Sequence, residues 1–341
     1  MLVDDSSTFR NFLRNVLSEE SDLEIVAQAS NGRLALTRLD FYRPDIIILD
    51  QEMPEMDGIE TLEILRKEHS KIGVIMLSSR SVIGANLTVK ALHMGALDFI
   101  TKPDRETDGD PVAYIKKNLM PRIREFHFAT GMTGPHLPAV RISLNRNVPA
   151  GYFNICGIGV STGGPVALRA VFQQLPRNLE GSIVVVQHMP ALFTEQLAQS
   201  LNEISGMHVV EASNSVRLEN GIAYIAPGGR HLSVEKDEKG LYLRVFDAEP
   251  ELNCRPSVNI FFRSLARSAG DRAAGIIMTG MGNDGYLGLK EMKAAGAYLI
   301  AQNRESCLVY GMPALPISEG IVDEILDLSE IAQRIRFLLG G

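Results

Sequence analysis

Phe153–Pro176, FNICGIGVSTGGPVALRAVFQQLP, is the stretch whose reading decides the fold. Phe153 to Ile158 is a short apolar run that suits a buried strand. Gly157, Gly159, Gly163 and Gly164 lead into a turn. Leu168, Val171, Phe172 and Leu175 then fall at i, i+3, i+4, i+7, the apolar face of a helix. Pro165 suits the first helical turn, where no backbone N–H is missed. Ser161 is thereby expected at a tight strand-to-helix turn, with its hydroxyl at the strand's carboxyl end and free helix-start N–H groups, that of Thr162 included, beside it. A nucleophile and an oxyanion hole can be built together at such a place. Gly159-x-Ser161-x-Gly163 matches the nucleophile-elbow pattern, although a glycine-rich strand–turn–helix also cradles phosphate. No Lys-Ser or Lys-Thr follows, which argues against a Walker A loop. Thr162 stands where a dinucleotide fingerprint needs its third glycine.

Toward the C-terminus the same strand–loop–helix rhythm recurs. Ser182 to Val186 reads as a strand ending in Gln187-His188-Met189-Pro190, with a helix from Ala191. Ile222 to Ala226 is another strand. His231 to Phe246 alternates apolar and polar residues around Asp237-Glu238-Lys239-Gly240, a hairpin expected to flank an otherwise parallel sheet. Arg255-Pro256-Ser257 opens a helix through Phe261, Phe262 and Leu265. The strand Gly275 to Met278 runs into Thr279-Gly280-Met281-Gly282-Asn283-Asp284-Gly285 and a helix bearing Leu287 and Met292. Strands at Tyr298 to Ala301 and Ile321 to Ile325 and a last helix complete an α/β domain. Three carboxyl-end loops therefore carry Ser161, His188 and Asp284, a candidate nucleophile, general base and orienting carboxylate. Taken singly, His188 reads as a satisfied hydrogen-bonder and Asp284 as a helix N-cap, and His231 is a rival base. The order Ser…His…Asp differs from the Ser…Asp…His of α/β-hydrolases with the same elbow. Glycines flanking Met281 make its backbone N–H an oxyanion-hole candidate.

The N-terminal third alternates differently. Met1-Leu2-Val3 is the tail of a strand, followed by Asp4-Asp5-Ser6-Ser7 and a helix with Phe9, Phe12, Leu13, Val16 and Leu17 on one face. Strands are expected at Leu23–Ala27, Asp45–Leu49, Gly73–Leu77 and Leu97–Ile100. Helices are expected at Gly32–Phe41, from Gly58, at Val82–Met94 and at Val112–Phe126. Such alternation implies a parallel, doubly wound sheet, which binds ligands outside its strands' carboxyl ends. Asp4, Asp5, Asp50, Ser78 and Lys102 stand just past those ends. Clustered carboxylates repel one another, and a hard divalent cation held through oxygens relieves this; Mg²⁺ fits.

The chain has 341 residues, 45% hydrophobic, with a formal net charge of -7, so two globular domains are expected and a nucleic-acid partner is not. Cys156, Cys254 and Cys307 form neither a zinc pattern nor a disulfide framework, as suits a reducing cytoplasm. No signal peptide or membrane-length apolar run is present, so no direct membrane insertion is expected. Residues 129–150, interrupted by Gly131, Gly134, Pro135, Pro138 and Pro149, read as a linker between domains at 1–128 and 151–341.

The first domain resembles a response-regulator receiver domain, a flavodoxin-like (βα)₅ fold. The residues that carry the resemblance are Asp4-Asp5, Leu49-Asp50-x-x-Met53-Pro54-x-Met56-Asp57-Gly58, Ser78 and Phe99-Ile100-Thr101-Lys102-Pro103. It implies phosphorylation of Asp50 by a histidine kinase of the chemotaxis type. It also implies Mg²⁺ on Asp5, Asp50 and the Glu52 carbonyl with Asp4 nearby, and switch roles for Ser78, Phe99 and Lys102. Receivers usually carry several more residues before the acidic pair, so the short first strand is expected to leave neighbouring-strand groups unpaired. The second domain is similar to the chemotaxis protein-glutamate methylesterase family (CheB). The similarity rests on GIGVSTGGP, QHMP, APGGRH, RPS and MTGMGNDG, at Gly157, Gln187, Ala226, Arg255 and Met278. It implies a Ser161–His188–Asp284 triad acting on glutamate methyl esters, and on glutamines, of methyl-accepting chemoreceptors. Asn259 and Asn303 stand where relatives often carry acids, departures expected to touch substrate fit and not the triad. The competing classes are a non-catalytic phospho-switch and a transcriptional regulator; the acidic balance and absent helix-turn-helix argue against the latter.

Overall fold

The N-terminal alternation is realised as a five-stranded sheet, all parallel, in the order β2-β1-β3-β4-β5. Its elements are β1 (Leu2–Val3), α1 (Ser7–Leu17), β2 (Gln28–Ala29), α2 (Gly32–Tyr42), β3 (Ile46–Asp50), α3 (Gly58–Glu68), β4 (Gly73–Ser78), α4 (Val82–His93), β5 (Asp98–Thr101), α5 (Arg105–Asp108) and α6 (Pro111–Gly131). The computed structural model describes residues 1–131 and 148–341, divided into units Met1–Met132 and Thr133–Gly341.

Most of the expected elements stand within a residue or two of their predicted bounds. The second strand does not: none of the expected Leu23–Ala27 is strand, and β2 is Gln28–Ala29. The register explains this. Leu2 pairs with Gln28 and Val3 with Ala29, so the residues before Ala27 lie past the end of β1 and have no ladder partner. Leu23 and Ile25 still pack against the core. Short as it is, β1 pairs with both β2 and β3. The helix α5, capped by Asp104, was not expected. The helix α6 packs Ile115, Leu119, Met120 and Ile123 into the core and runs to Gly131, past the expected linker start at 129. Residues 132–147 of that linker lie outside the described residues.

The second unit holds a seven-stranded parallel sheet in the order β14-β13-β12-β6-β7-β9-β8. Its elements are β6 (Ile155–Val160), α7 (Gly164–Phe172), β7 (Ser182–Gln187), α8 (Phe193–Ile204), β8 (His208–Glu211), β9 (Ile222–Ile225), β10 (His231–Asp237), β11 (Gly240–Phe246), α9 (Val258–Ser268), β12 (Ala273–Ile277), α10 (Tyr286–Ala294), β13 (Tyr298–Gln302), α11 (Ala314–Ser318), β14 (Glu324–Leu326) and α12 (Leu328–Leu339). The edge strand β8 and the short α11 were not foreseen. The hairpin β10–β11 is a separate two-stranded sheet, not hydrogen-bonded into the large one, although its Leu232, Val234, Leu243 and Val245 share the same core. It is tied to α9: Ser264 Oγ accepts from Val234 N at 2.9 Å, and Ser268 Oγ donates to Val234 O at 2.7 Å.

The central strand β6 has β7 on one side and β12 on the other. The connection after β6 runs to β7 on one side and that after β12 to β13 on the other, so the carboxyl ends of β6 and β12 flank a topological switch point. The helix α9 crosses β6 so closely that a Cβ on Gly157 would come within 2.4 Å of Leu265, and one on Gly159 within 2.3 Å of Val258. This close approach, rather than turn geometry, is what requires those two glycines. It brings the N-terminus of α9 to the same rim as Ser161.

Candidate active site

Val160 is the register partner of Gln187, and the His188 N–H donates to the Val160 carbonyl at 3.2 Å. Ser161 and His188 therefore leave adjacent strands side by side. On the other flank Ser161 N–H donates to Thr279 O at 3.0 Å, which ties in the loop after β12. Gln187 is buried, and its amide donates to the Ser161 carbonyl at 3.0 Å. Gly163 takes the positive φ of 78° that completes the turn into α7. The turn fixes Ser161 from three sides through its backbone, with the residue partly exposed. Sequence reading missed the part of Gln187.

Asp284 is buried, and its carboxylate is the best-supported group of the site. Its Oδ2 faces His188 Nε2 at 2.9 Å and accepts from Val258 N at 2.7 Å. Its Oδ1 accepts from Ser257 Oγ at 3.0 Å, Asn259 N at 2.9 Å and Gly285 N at 3.0 Å. Val258 and Asn259 are the first residues of α9, so the carboxylate sits on the positive end of that helix. Asp284 thus caps a helix other than the one that follows it, whose N-cap is Gly285. Asn259 also takes part in holding Asp284, contrary to expectation: its Oδ1 accepts from Gly285 N and Gly288 N, both at 3.0 Å. Asn303 lies apart, organising a loop with Ser306 and Asp327.

Electrostatics follow the geometry. Burial pushes the Asp284 carboxyl up, but its bond with His188 and the α9 N–H groups outweigh this and hold it below the usual range. Burial lowers the His188 imidazole, yet the bond to Asp284 and the Cys254 thiol beside it win, leaving it at about 9. With Nε2 donating to Asp284, Nδ1 carries the basic lone pair. The group against Nδ1 is Cys254 Sγ, at 3.8 Å. The Ser161 hydroxyl forms no hydrogen bond among the described residues; in unliganded enzymes such contacts commonly close only around substrate. The Met281 N–H has no hydrogen-bond partner among the described residues, as an oxyanion donor requires. Gly280 lies where a Cβ would meet the Ser161 Cβ at 2.7 Å, so this loop abuts the serine. The rival His231 is excluded: it is fully buried, with Nδ1 accepting from Ser257 N at 3.3 Å and Nε2 facing Glu249 O at 3.0 Å.

In the N-terminal unit, Lys102 Nζ lies 2.9 Å from Asp4 Oδ2 and 2.8 Å from Asp50 Oδ2. Asp4 and Asp50 are buried and Asp5 is exposed, and carboxylate oxygens of all three lie within 4.8 Å of one another. Burial raises the Asp50 carboxyl, Lys102 pulls it down and the Asp4 charge pushes it back, to about 6. The motif around Gly58 has a physical reason. Gly58 N–H donates to Gln51 O at 3.0 Å, and a Cβ there would meet the Asp50 carbonyl at 2.2 Å. Ser78 is buried, its Oγ 3.2 Å from Gln51 Oε1 and accepting from Thr88 Oγ1 at 2.8 Å. Phe99 is buried in β5.

Residues 156–335 match the family described as CheB methylesterase, and residues 1–108 match the response regulator receiver domain. This chain belongs to the CheB methylesterase family. A protein-glutamate methylesterase/protein-glutamine glutaminase of Desulfotalea psychrophila is 38% identical, over 98% of this chain and 96% of its own length. That of Geobacillus kaustophilus is 40% identical over 100% and 98%. The CheB methylesterase catalytic domain of Thermotoga maritima is similar in structure, with a TM-score of 0.53 and 36% identity, covering 54% of this chain and 97% of that one. The two matches thus place a receiver and a methylesterase on this one chain, one to each unit.

Proposed function

We propose that the chain is a phosphorylation-activated serine hydrolase that removes methyl groups from glutamate esters, and amide nitrogen from glutamines, on chemoreceptors. The observation that carries this reading is the meeting of Ser161, His188 and Asp284 on three adjacent strand ends, with the carboxylate seated on α9 and hydrogen-bonded to the imidazole. His188 Nδ1 takes the Ser161 proton as Oγ attacks the ester carbonyl. Asp284 supports the imidazolium so formed. The N–H groups of Met281 and Thr162 face the developing oxyanion. The protonated imidazole then gives its proton to the departing methoxide, and water attacks the acyl-serine by the reverse path. A glutamine would lose ammonia by the same steps.

Control belongs to the receiver. Asp50 is the phosphoacceptor, supplied by a histidine kinase. Asp5, Asp50 and the Glu52 carbonyl would hold Mg²⁺, with Asp4 beside them. The clustered carboxylate oxygens fit such a cation: among the described residues, Lys102 alone pairs with the two buried carboxylates. The cation supplies charge neutralisation for phosphoryl transfer. Lys102 pairs with the phosphoryl group and Ser78 turns from Gln51 and Thr88 to meet it. The substrate segments are the chemoreceptors' cytoplasmic ones; among the described residues no helix is long and apolar enough to cross a membrane.

The test is methanol release from methylated receptor, with and without a small-molecule phosphodonor. Wild type should release methanol, faster with the donor, while Ser161→Ala should release none and Asp50→Asn should ignore the donor. Equal release by wild type and Ser161→Ala would end the hydrolase reading. An unchanged rate with the donor would end the control reading alone.

A further inference from the structure

The thiol of Cys254 has no part in the hydrolysis above, yet it lies against the one atom that hydrolysis needs. Its Sγ is 3.8 Å from His188 Nδ1. It is also placed with care. Leu252 and Asn253 take φ of 51° and 61°, a left-handed pair at positions where neither is glycine. Glu251 N donates to Cys254 O at 3.2 Å and Cys254 N to Glu251 O at 2.9 Å, which closes the turn. Glu251 is pinned in turn by Arg263 of α9, with one bond at 2.7 Å and a second alongside. Held backbone strain of this kind clusters at functional sites. The same helix therefore fixes both Asp284 and the turn that carries Cys254.

From this geometry we infer that His188 Nδ1 and Cys254 Sγ form a binding site for a thiophilic divalent cation, zinc foremost, whose occupancy silences the hydrolase. The distance is suitable. Zinc bonds of about 2.3 Å to sulfur and about 2.0–2.1 Å to nitrogen, at a tetrahedral angle, put the two ligand atoms about 3.6 Å apart. The partner of the other ring nitrogen is suitable too. Asp284 accepts from Nε2–H, which fixes the tautomer with its lone pair on Nδ1, the carboxylate–histidine–metal arrangement of known zinc sites. Ligand atoms of His188, Cys254 and Asp284 all lie within 4.8 Å of one another. The other cysteines do not compete: burial pushes the Cys156 thiol up to about 12 and that of Cys307 up as well. Binding exchanges the thiol proton for the metal, with no change of oxidation state, and water completes the coordination. A metal on Nδ1 occupies the lone pair that must receive the Ser161 proton, so binding and catalysis exclude each other. The binding half stands on geometry alone; the silencing half rests on the hydrolase reading.

The experiment uses the full chain with excess Mg²⁺ present to occupy the receiver's carboxylates. Co²⁺ is titrated as a spectroscopic stand-in and Zn²⁺ as the inhibitor. Wild type should develop a thiolate-to-cobalt charge-transfer band and lose methanol release as Zn²⁺ rises. Cys254→Ser should lack the band, and relative to its own metal-free rate it should need at least tenfold more Zn²⁺ for the same inhibition. Cys254→His, which restores a ligand, should regain zinc sensitivity without the thiolate band. A wild type without the band, or equal zinc inhibition of wild type and Cys254→Ser, overturns the site. A band without any methanol release would spare the site and refute the hydrolase reading instead.

Discussion

Replacing Asp284 by asparagine tests the reading most sharply, because the structure fixes which way the amide must turn. Three donors converge on Oδ1, from Ser257, Asn259 and Gly285, and two on Oδ2, from Val258 and His188. The amide nitrogen therefore goes to the Oδ2 position, where it meets the Val258 N–H and His188 Nε2. His188 must then carry its proton on Nδ1, the atom that should be the base. The charge is lost as well. Against burial, the bond to Asp284 is the first support that lifts the imidazole from its ordinary 6.5 to about 9, with Cys254 adding to it, so the variant loses the main support of the imidazolium. With the wrong tautomer added, kcat should fall by about 10³–10⁴. Wild-type kcat/KM should climb with pH through a midpoint near 9 and level off only above it, because the base works only when neutral. In the variant the midpoint should move down toward or below 6.5, since burial then acts with less opposition. The orphaned Val258 N–H costs about 1–3 kcal/mol, a loss of several degrees in Tm that leaves the protein folded. The assay is methanol release across pH, with Tm by calorimetry. A fall of less than tenfold with an unmoved midpoint would refute the role given to Asp284.

Two further outcomes follow from named contacts. Asp50 is protonated below about 6, and a proton there competes with a cation, so Mg²⁺ affinity should weaken as pH falls through about 6, approaching about tenfold per pH unit. Calorimetric titration suits this, since the chain has no tryptophan; an affinity flat from pH 7 to about 5 would contradict it. Ser264→Ala strips the buried Val234 N–H of its acceptor and should cost about 1–3 kcal/mol of stability, read from denaturant midpoints at constant m. A loss under about 0.5 kcal/mol would mean the hairpin is held by packing alone.

Local pattern announced the strand-to-helix turns, because each is written in contiguous residues: an apolar run, glycines, a capping residue. The placement of Ser161, His188 and Asp284 in loops after strands was legible for that reason, as was the hairpin, whose ends fall at His231 and Phe246 as expected. What the chain order does not write is which helix serves which loop. Asp284 looked like a cap for the helix after it, and only the packing of α9 over Gly157 and Gly159 shows that it caps α9. The contacts of Asn259, Gln187 and Cys254 were not legible for the same reason, their partners being distant in sequence. The RPS triplet signalled a helix start, which Ser257 provides, but nothing in it revealed the bond to Asp284. β2 failed differently: the apolar run at Leu23 was real, but a strand needs a neighbour, and β1 has only Leu2 and Val3 to offer.

The helix α9 carries three unrelated duties along its length: the carboxylate at its first turn, the Cys254 turn through Arg263, and the hairpin through Ser264 and Ser268. A random-mutagenesis screen for lost hydrolysis should therefore return substitutions in β10 and β11, far from the reacting atoms. Their second-site suppressors should gather on α9 and not around Ser161, since restoring that helix restores all three attachments at once.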